Sequence, residues 1–363
     1  EILKLRLEMS ELVGFSNYAD YSTQSKMVDS PDAVVDFLNT LIELSTPQAK
    51  AELSDLERFA GHALMPWDLM YYSEKLKQKT FSFKSSDLKP FFPESSVFDG
   101  LFETIQNLYN VKLIEIHEKT YHEDVRVINL EDNNGVIGRI YLDVYARENK
   151  RGGAWMSDYQ GLFKESLPVA FVVCNLNSPS EGKPALFDFD EIVTIFHEFG
   201  HALHHLLTKV PFPCAAGISG VPWDGVELPS QYMENFCYER EVVNLISGHW
   251  ETGEKLPKVL FQKVIESKNF QSGLQMLRQC EFALWDISTH MTSNDTYEVL
   301  GKVREKTALL PVVIENRFLN SFSHIFSGGY AAGYFSYKWA EVLAADAYEF
   351  VKESGGIGSK SSN

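Results

Sequence analysis

The stretch FDEIVTIFHEFGHALHHLLTK, residues 189–209, carries four of the chain's ten histidines, and two of them bracket a glutamate as His197, Glu198, Phe199, Gly200, His201. Read as a helix, it places residues four apart on one face, about one turn from each other. His197 and His201 can then aim two imidazole nitrogens at one point, which is the geometry of a shared metal ion. Zinc takes nitrogen ligands at about 2.0–2.1 Å, and in this HExxH spacing the glutamate after the first ligand faces the open coordination site as a general base. Gly200 disfavours a helix by about 1 kcal/mol relative to Ala. Its place beside the second histidine indicates that another backbone or ligand approaches closely there.

Two imidazoles do not complete a metal site. Glu227 lies thirty residues after His197 in GVELPSQYMENFCYERE, where Pro229 and Ser230 mark a helix start. A loop over 210–226 that folds back presents Glu227 to the two histidines. Two imidazoles, one carboxylate and an open fourth position make a catalytic zinc set, whereas structural zinc is closed and cysteine-rich. Gln231 and Glu234 follow on the same helical face as orienters for a ligand histidine's spare N–H, with a solvated face as the alternative for Glu234. His204 and His205 read as hydrogen-bonded or interfacial rather than as ligands.

A second constellation, SFSHIFSGGYAAGYFSYKWAEV, comes late in the chain. Gly328 and Gly329 form a pliable segment, and Tyr330, Tyr334 and Tyr337 recur at helical spacing, so a helix over about 328–352 stacks their rings. Such a stripe is ordinarily core. Beside a hydrolytic zinc helix, phenol O–H groups also suit a developing oxyanion, and His324 is a further donor.

Composition narrows the classes. The 363 residues are 44% hydrophobic and 13% aromatic, ample for a large core, and the formal charge of −17 disfavours nucleic acid and anionic lipid. The longest apolar run, PVAFVVCNL at 168–176, is far short of the roughly 20 residues that span a bilayer. Cys174, Cys214, Cys237 and Cys280 form no CxxC pair and are too few for a disulfide framework, pointing to a reducing compartment. A cytoplasmic location is expected, or an organelle if a leader has been removed.

Periodicity gives the organisation. Ser30 caps a helix with Pro31 in its first turn and a break expected at Pro47; PWDLMYYSEKLKQKTF and VFDGLFETIQNLYN continue the helical pattern. VKLIEIHE, DVRVINL, GVIGRIYLDVYAR and LPVAFVVCNLN read as strands, with EDNNG as a hairpin turn. Helices return at about 188–209, 229–247, 256–292 with a break, and 328–352. The division is a helical subregion 1–110, a small sheet 111–180, a helical subregion 181–352 and a flexible tail 353–363.

TIFHEFGHALHHLLTK, AGISGVPWDGVELPSQYMENFCYERE and SFSHIFSGGYAAGYFSYKWAEVLAADA together resemble the oligopeptidase A and thimet oligopeptidase family of zinc peptidases. The resemblance runs over about 1–350 and is nearest to oligopeptidase A. It implies a predominantly α-helical α+β, zincin-like catalytic domain with a small sheet beside the HExxH helix, and a channel admitting short peptides. It implies one Zn2+ per chain on His197, His201 and Glu227, Glu198 as the base that takes the water proton, and His324, Tyr330 and Tyr337 as substrate or oxyanion contacts. The strand PVAFVVCNLN is expected to pair with extended substrate. Members are nearly twice this length, so the chain reads as a fragment lacking an N-terminal half and the extreme C-terminus. The expected activity is zinc metalloendopeptidase on internal bonds of short oligopeptides, by a monomer with peptide partners and neither nucleic acid nor membrane. The alternatives are a dipeptidyl carboxypeptidase, with Arg304 or Lys338 as candidate cations for a substrate's terminal carboxylate, and a zinc-binding but inactive truncated module.

Overall fold

A computed structural model describes residues 1–357 apart from Glu165, Glu181, Ser293, Asn294 and Ile314. Most of the expected tail, 358–363, lies outside the described residues. The first helices are α1 (Ile2–Leu12), α2 (Tyr18–Thr23), α3 (Pro31–Ala60), α4 (Leu69–Phe81) and α5 (Glu94–Tyr109). Five strands follow: β1 (Lys112–Ile116), β2 (Arg126–Asp132), β3 (Gly135–Tyr145), β4 (Trp155–Gln160) and β5 (Val169–Leu176). Then come α6 (Phe189–Leu206), α7 (Leu228–Phe236), α8 (Arg240–Ile246), α9 (Lys258–Ser267), α10 (Ser272–Met291) and α11 (Thr296–Thr307). The short α12 (Phe318–Ser321) and α13 (Ser323–Phe326) precede α14 (Ser336–Glu353). No described helix is long and apolar enough to cross a membrane. The chain divides into two compact units, one of Glu1–Ser82, Pro222–Gly225 and Glu266–Trp339, the other of Phe83–Val221, Val226–Ile265 and Ala340–Asn363.

The first unit is all helical and centres on α3 packed against α10. Ser30 Oγ accepts from Ala33 N at 3.2 Å, Pro31 opens the helix, and Gly61, at φ 82°, ends it. The buried stripe Val34, Leu38, Ile42, Ala49, Leu53, Leu56 runs the full length of α3. Leu38 and Leu56 are wholly buried, each worth about 1.5–3 kcal/mol. The break expected at Pro47 does not occur. A helix-interior proline costs about 3 kcal/mol because it removes one hydrogen bond and crowds the carbonyl four residues back. Here Pro47 and Glu43 are both on the exposed side, where water can take that carbonyl, while the buried stripe continues past them. Packing overrides the local rule.

The late helix is also shorter than its spacing suggests, beginning at Ser336 rather than near 328. Gly329 at φ 86° and Ala332 at φ 47° occupy the left-handed region, through which no right-handed helix continues. The backbone N–H groups of Ala332, Gly333 and Tyr334 instead donate to the buried Asp286 carboxylate, each at 2.9 Å. Farther back, 229–247 is two helices separated at Cys237–Glu239, and the stop in 256–292 falls between Ser267 and Ser272.

The second unit holds a five-stranded sheet in the order β1-β2-β3-β5-β4. β1, β2 and β3 form an antiparallel meander with the expected hairpin at Asp132–Gly135; β5 lies parallel to β3 and β4 antiparallel to β5. β4 was not expected from the sequence, because WMSDYQ shows no apolar alternation and is mostly exposed. Its presence corrects the expectation for PVAFVVCNLN: β5 is paired on both sides and has no free edge to offer a peptide, whereas β4 has one. α6 packs on β5, β4 and β3, and α5 packs on α8 and β1. The protein is therefore a predominantly helical α+β fold with the small sheet beside the HExxH helix, as expected.

Candidate metal centre

α6 is fixed by a cap at its start and by a buried side along its length. Asp188 caps it in a reciprocal box in which Asp188 N donates to Glu191 Oε2 at 2.7 Å. Ile192, Ile195, Phe196, Phe199, Leu203 and Leu206 form its buried side. Phe199 packs its ring near Phe98 and Phe102 of α5, with centroids 6.2 and 6.0 Å away. That seating turns His197 and His201 to a common side, their ring centroids 4.9 Å apart.

Glu227 arrives at the head of α7, at the N-cap position, with Pro229 in the first turn. Its carboxylate is 1% exposed and accepts from Ser230 Oγ at 3.1 Å. The close approach inferred at Gly200 is α7 itself: a Cβ there would stand 2.5 Å from Pro229 O and 2.5 Å from Ser230 Cα. Glycine is what lets the two helices touch.

The result is convergence on one point. His197 Nε2 lies 3.2 Å and His201 Nε2 3.1 Å from the same atom, Glu227 Oε2. Two donors bound to one tetrahedral zinc at about 2.0–2.1 Å are themselves roughly 3.3 Å apart, so these spacings fit the edges of a zinc tetrahedron. The donor set, two imidazole nitrogens and a carboxylate oxygen, is that of a three-ligand catalytic site. Among the described residues this is the one group of three or more such side chains close enough to hold a metal ion.

The surroundings follow. His197 Nδ1 pairs with Glu234 Oε1 at 2.6 Å, the contact an orienter of that ring would make. Burial opposes a charge on the metal-free His197 ring, but Glu227 and Glu234 outweigh it and raise the ring to about 10. Burial likewise opposes a charge on Glu227, and the two histidines overcome it, holding the carboxyl below its ordinary range. Glu198, 5% exposed, is raised chiefly by burial, against the pull of His197 and His201 and of a hydrogen bond from the Met156 backbone of β4. Its Oε2 is buried and has no hydrogen-bond partner. That bond makes β4 part of the centre, and the polar WMSDYQ gave no sign of it. His205 Nε2 pairs with Gln160 O at 2.9 Å, while burial lowers His204 to about 4. His205 is thus engaged with β4, in keeping with a hydrogen-bonded role.

The other expected site residues belong to the first unit and form their own cluster. The rings of Tyr330 and Tyr337 stack at 5.0 Å and 19°, and His324 stands 6.2 Å from each. The association foreseen is present, with Tyr337 on the first turn of α14 but Tyr330 on the irregular segment before it rather than on the same helix face. Trp223 lies 5.3 Å from Tyr330. Tyr334 belongs to the same cluster, its ring 5.0 Å from Tyr337 and 5.6 Å from His324, and its hydroxyl donates to Gln279 Oε1 at 3.0 Å. Of the two cations considered for a terminal carboxylate, Arg304 is taken up by Glu281 at 3.4 Å.

Residues 1–362 match the family described as Peptidase family M3. The chain is 48% identical to Oligopeptidase A of Salmonella typhimurium and 40% identical to the chloroplastic/mitochondrial oligopeptidase A of Arabidopsis thaliana. Those matches cover 98% of this chain and 55% and 48% of the relatives. Dipeptidyl carboxypeptidase of Escherichia coli is 33% identical over 98% of this chain and 54% of its own length. The chain therefore spans about half the length of the curated relatives it matches. Among solved structures, PZ peptidase A with inhibitor 2 superposes at a TM-score of 0.61 with 15% identity, over 97% of this chain and 55% of that one, a likeness of fold. With nearly every residue matched and the two histidines and Glu227 converging as described, this chain belongs to peptidase family M3.

Proposed function

We propose that this chain is the catalytic region of a zinc-dependent endopeptidase that cuts internal bonds of short peptides, with one zinc ion per chain. The observation that carries the reading is the meeting of His197 Nε2 and His201 Nε2 at Glu227 Oε2, 3.2 and 3.1 Å away, on a helix that also carries Glu198. His197, His201 and Glu227 would hold the ion, which when bound supplies Lewis-acid polarisation of the scissile carbonyl and of water.

The chain's own groups do the rest. Glu234 holds the Nδ1 proton of His197 and so fixes which ring nitrogen faces the ion. Glu198, made more basic by burial and with Oε2 unpartnered, accepts the proton of the attacking water and delivers it to the leaving amine. Tyr330 and Tyr337, with His324, are the donors we assign to the developing oxyanion. The open edge of β4, whose Met156 already engages Glu198, offers backbone groups to an extended peptide. The higher identity to oligopeptidase A than to dipeptidyl carboxypeptidases favours internal cleavage, and four free thiols suit a reducing cytoplasm.

The test is a cleavage map of the zinc-loaded protein against short peptides with free and amidated C-termini, beside Glu198→Gln. Cuts at internal bonds that ignore amidation are expected, and the variant should keep its zinc while kcat falls about 10³-fold. Loss of cleavage on amidation would favour removal of C-terminal dipeptides. Full activity in the variant would remove Glu198 from its role.

A further inference from the structure

We propose that Asp286 is a positioning residue that sets the aim of Tyr330 and Tyr337 by gripping the turn between them; this rests on the assignment of those phenols as donors to substrate. The side chain is wholly buried in α10, and most of its hydrogen bonds go to backbone amides of another segment. Its Oδ1 accepts from Ala332 N, and its Oδ2 from Gly333 N and Tyr334 N, each at 2.9 Å. Three successive amides pointing at one carboxylate require a concave backbone. Ala332, at φ 47°, supplies the left-handed residue that curls it.

The grip continues on both sides of the carboxylate. Behind it, Arg6 is donor only, so His290 Nε2 accepts from Arg6 Nη1 at 3.0 Å, which leaves the ring proton on Nδ1 to donate to the backbone carbonyl Asp286 O at 2.8 Å, with Oδ1 of the same residue 3.0 Å from that nitrogen. The same guanidinium donates to Ile325 O at 2.7 Å, beside His324. On the other side, Ser22 Oγ donates to Ala331 O at 3.1 Å. Tyr330 stands two residues before the first clamped amide and Tyr337 three after the last. Gly333 N also donates to Tyr330 O at 3.0 Å, so the carboxylate and the tyrosine backbone share one donor. Asp286 is placed to act through the backbone that carries the two rings.

Asp286→Asn is the sharpest lesion, because it keeps the volume. Whichever oxygen becomes NH2, it faces an amide donor of the turn, and at least one bond of the clamp is lost. Backbone amides 332–334 should exchange about tenfold faster or more. Zinc content should be unchanged and KM within about twofold, while kcat on a short quenched peptide falls about 10- to 100-fold. In a Tyr330→Phe/Tyr337→Phe background Asp286→Asn should cost nothing further, since its effect passes through those hydroxyls. A general loss of packing would add in both backgrounds. His290→Gln, a milder change two bonds back, should show the same pattern at roughly two- to fivefold, and serves if the first variant does not fold. Unaltered amide exchange, or a kcat loss that persists in full without the two hydroxyls, would overturn the proposal. A wild-type protein that cuts no peptide would overturn the functional reading and the catalytic half of this one, while amide exchange would still report whether the clamp exists.

Discussion

In the candidate metal centre two of the three converging donor atoms come from positions four apart on one helix, and the third from the head of the next helix in sequence. In the tyrosine turn the geometry is held by a carboxylate 46 to 48 residues away from the amides it grips. The first arrangement is mostly written in local periodicity; the second exists only once α10 and the turn have packed. A helix repeat can place His197 and His201 without any knowledge of the rest of the chain. No repeat could have placed Tyr330 against Tyr337, because the residues between them leave the helical region altogether. Motifs on regular elements survive translation into structure, and motifs on irregular backbone depend on partners that the sequence does not announce.

The sharpest way to break this contrast is at Gly200, where even the locally coded centre leans on a contact between elements. Gly200→Ala puts a methyl 2.5 Å from backbone atoms of Pro229 and Ser230, which cannot rotate away as a side chain would. α7 must shift, and Glu227 with it. We expect a loss of roughly 3 kcal/mol in stability and a fall in zinc affinity of about 10- to 100-fold, read by chemical denaturation of the metal-free protein and by competition with a chelator. A variant that binds zinc normally would mean that the third ligand is set by the 210–226 loop rather than by helix contact.

The same contrast explains what was legible. His197, Glu198, His201 and the arrival of Glu227 could be read because helix spacing and a proline-marked helix start are local signals. Glu234 could be read from its place seven residues after Glu227. β4 could not, because a solvent-facing edge strand such as WMSDYQ needs no alternation of apolar residues, and its bond from Met156 to Glu198 went unseen with it. Pro47 and the start of α14 failed in opposite directions. At Pro47 a local breaker was overruled by a buried stripe running past it, while at 328–335 a local helix pattern was overruled by a buried carboxylate.

Asp143 offers a comparison with Asp286 from the other unit: a second buried aspartate, but one held by charge rather than by amides. Arg147 donates to it at 2.6 and 2.7 Å, Lys150 at 2.8 Å and Tyr121 at 2.9 Å, at the end of β3 that adjoins β5. Burial alone would raise this carboxyl, but those three partners together hold it down at about 2 against an ordinary 3.8. A depressed carboxyl stabilises the fold above the unfolded value, so its contribution is complete above pH 3.8 and lost as pH falls through about 2. Acid unfolding of the wild type should steepen across that window. Asp143→Asn should lose roughly 2 kcal/mol at neutral pH, less than a fully buried pair because Arg147 reaches solvent, and should lack that step. An unchanged acid profile would show the cluster to be energetically idle.

Pro47→Ala carries the smallest expected effect and probes the case in which packing overruled a local signal. If the continuous buried face of α3 holds the helix straight through the proline, alanine should restore the hydrogen bond to the Glu43 carbonyl without moving Ile42 or Ala49. The gain is less than the roughly 3 kcal/mol of an interior proline, since water already serves the carbonyl and since proline limits the unfolded chain by about 0.4–1 kcal/mol. A net stabilisation of about 1 kcal/mol is expected, seen as a higher urea midpoint with an unchanged slope. A loss of stability would mean that the proline is itself part of how α3 meets α10, through a bend that the packing requires rather than tolerates.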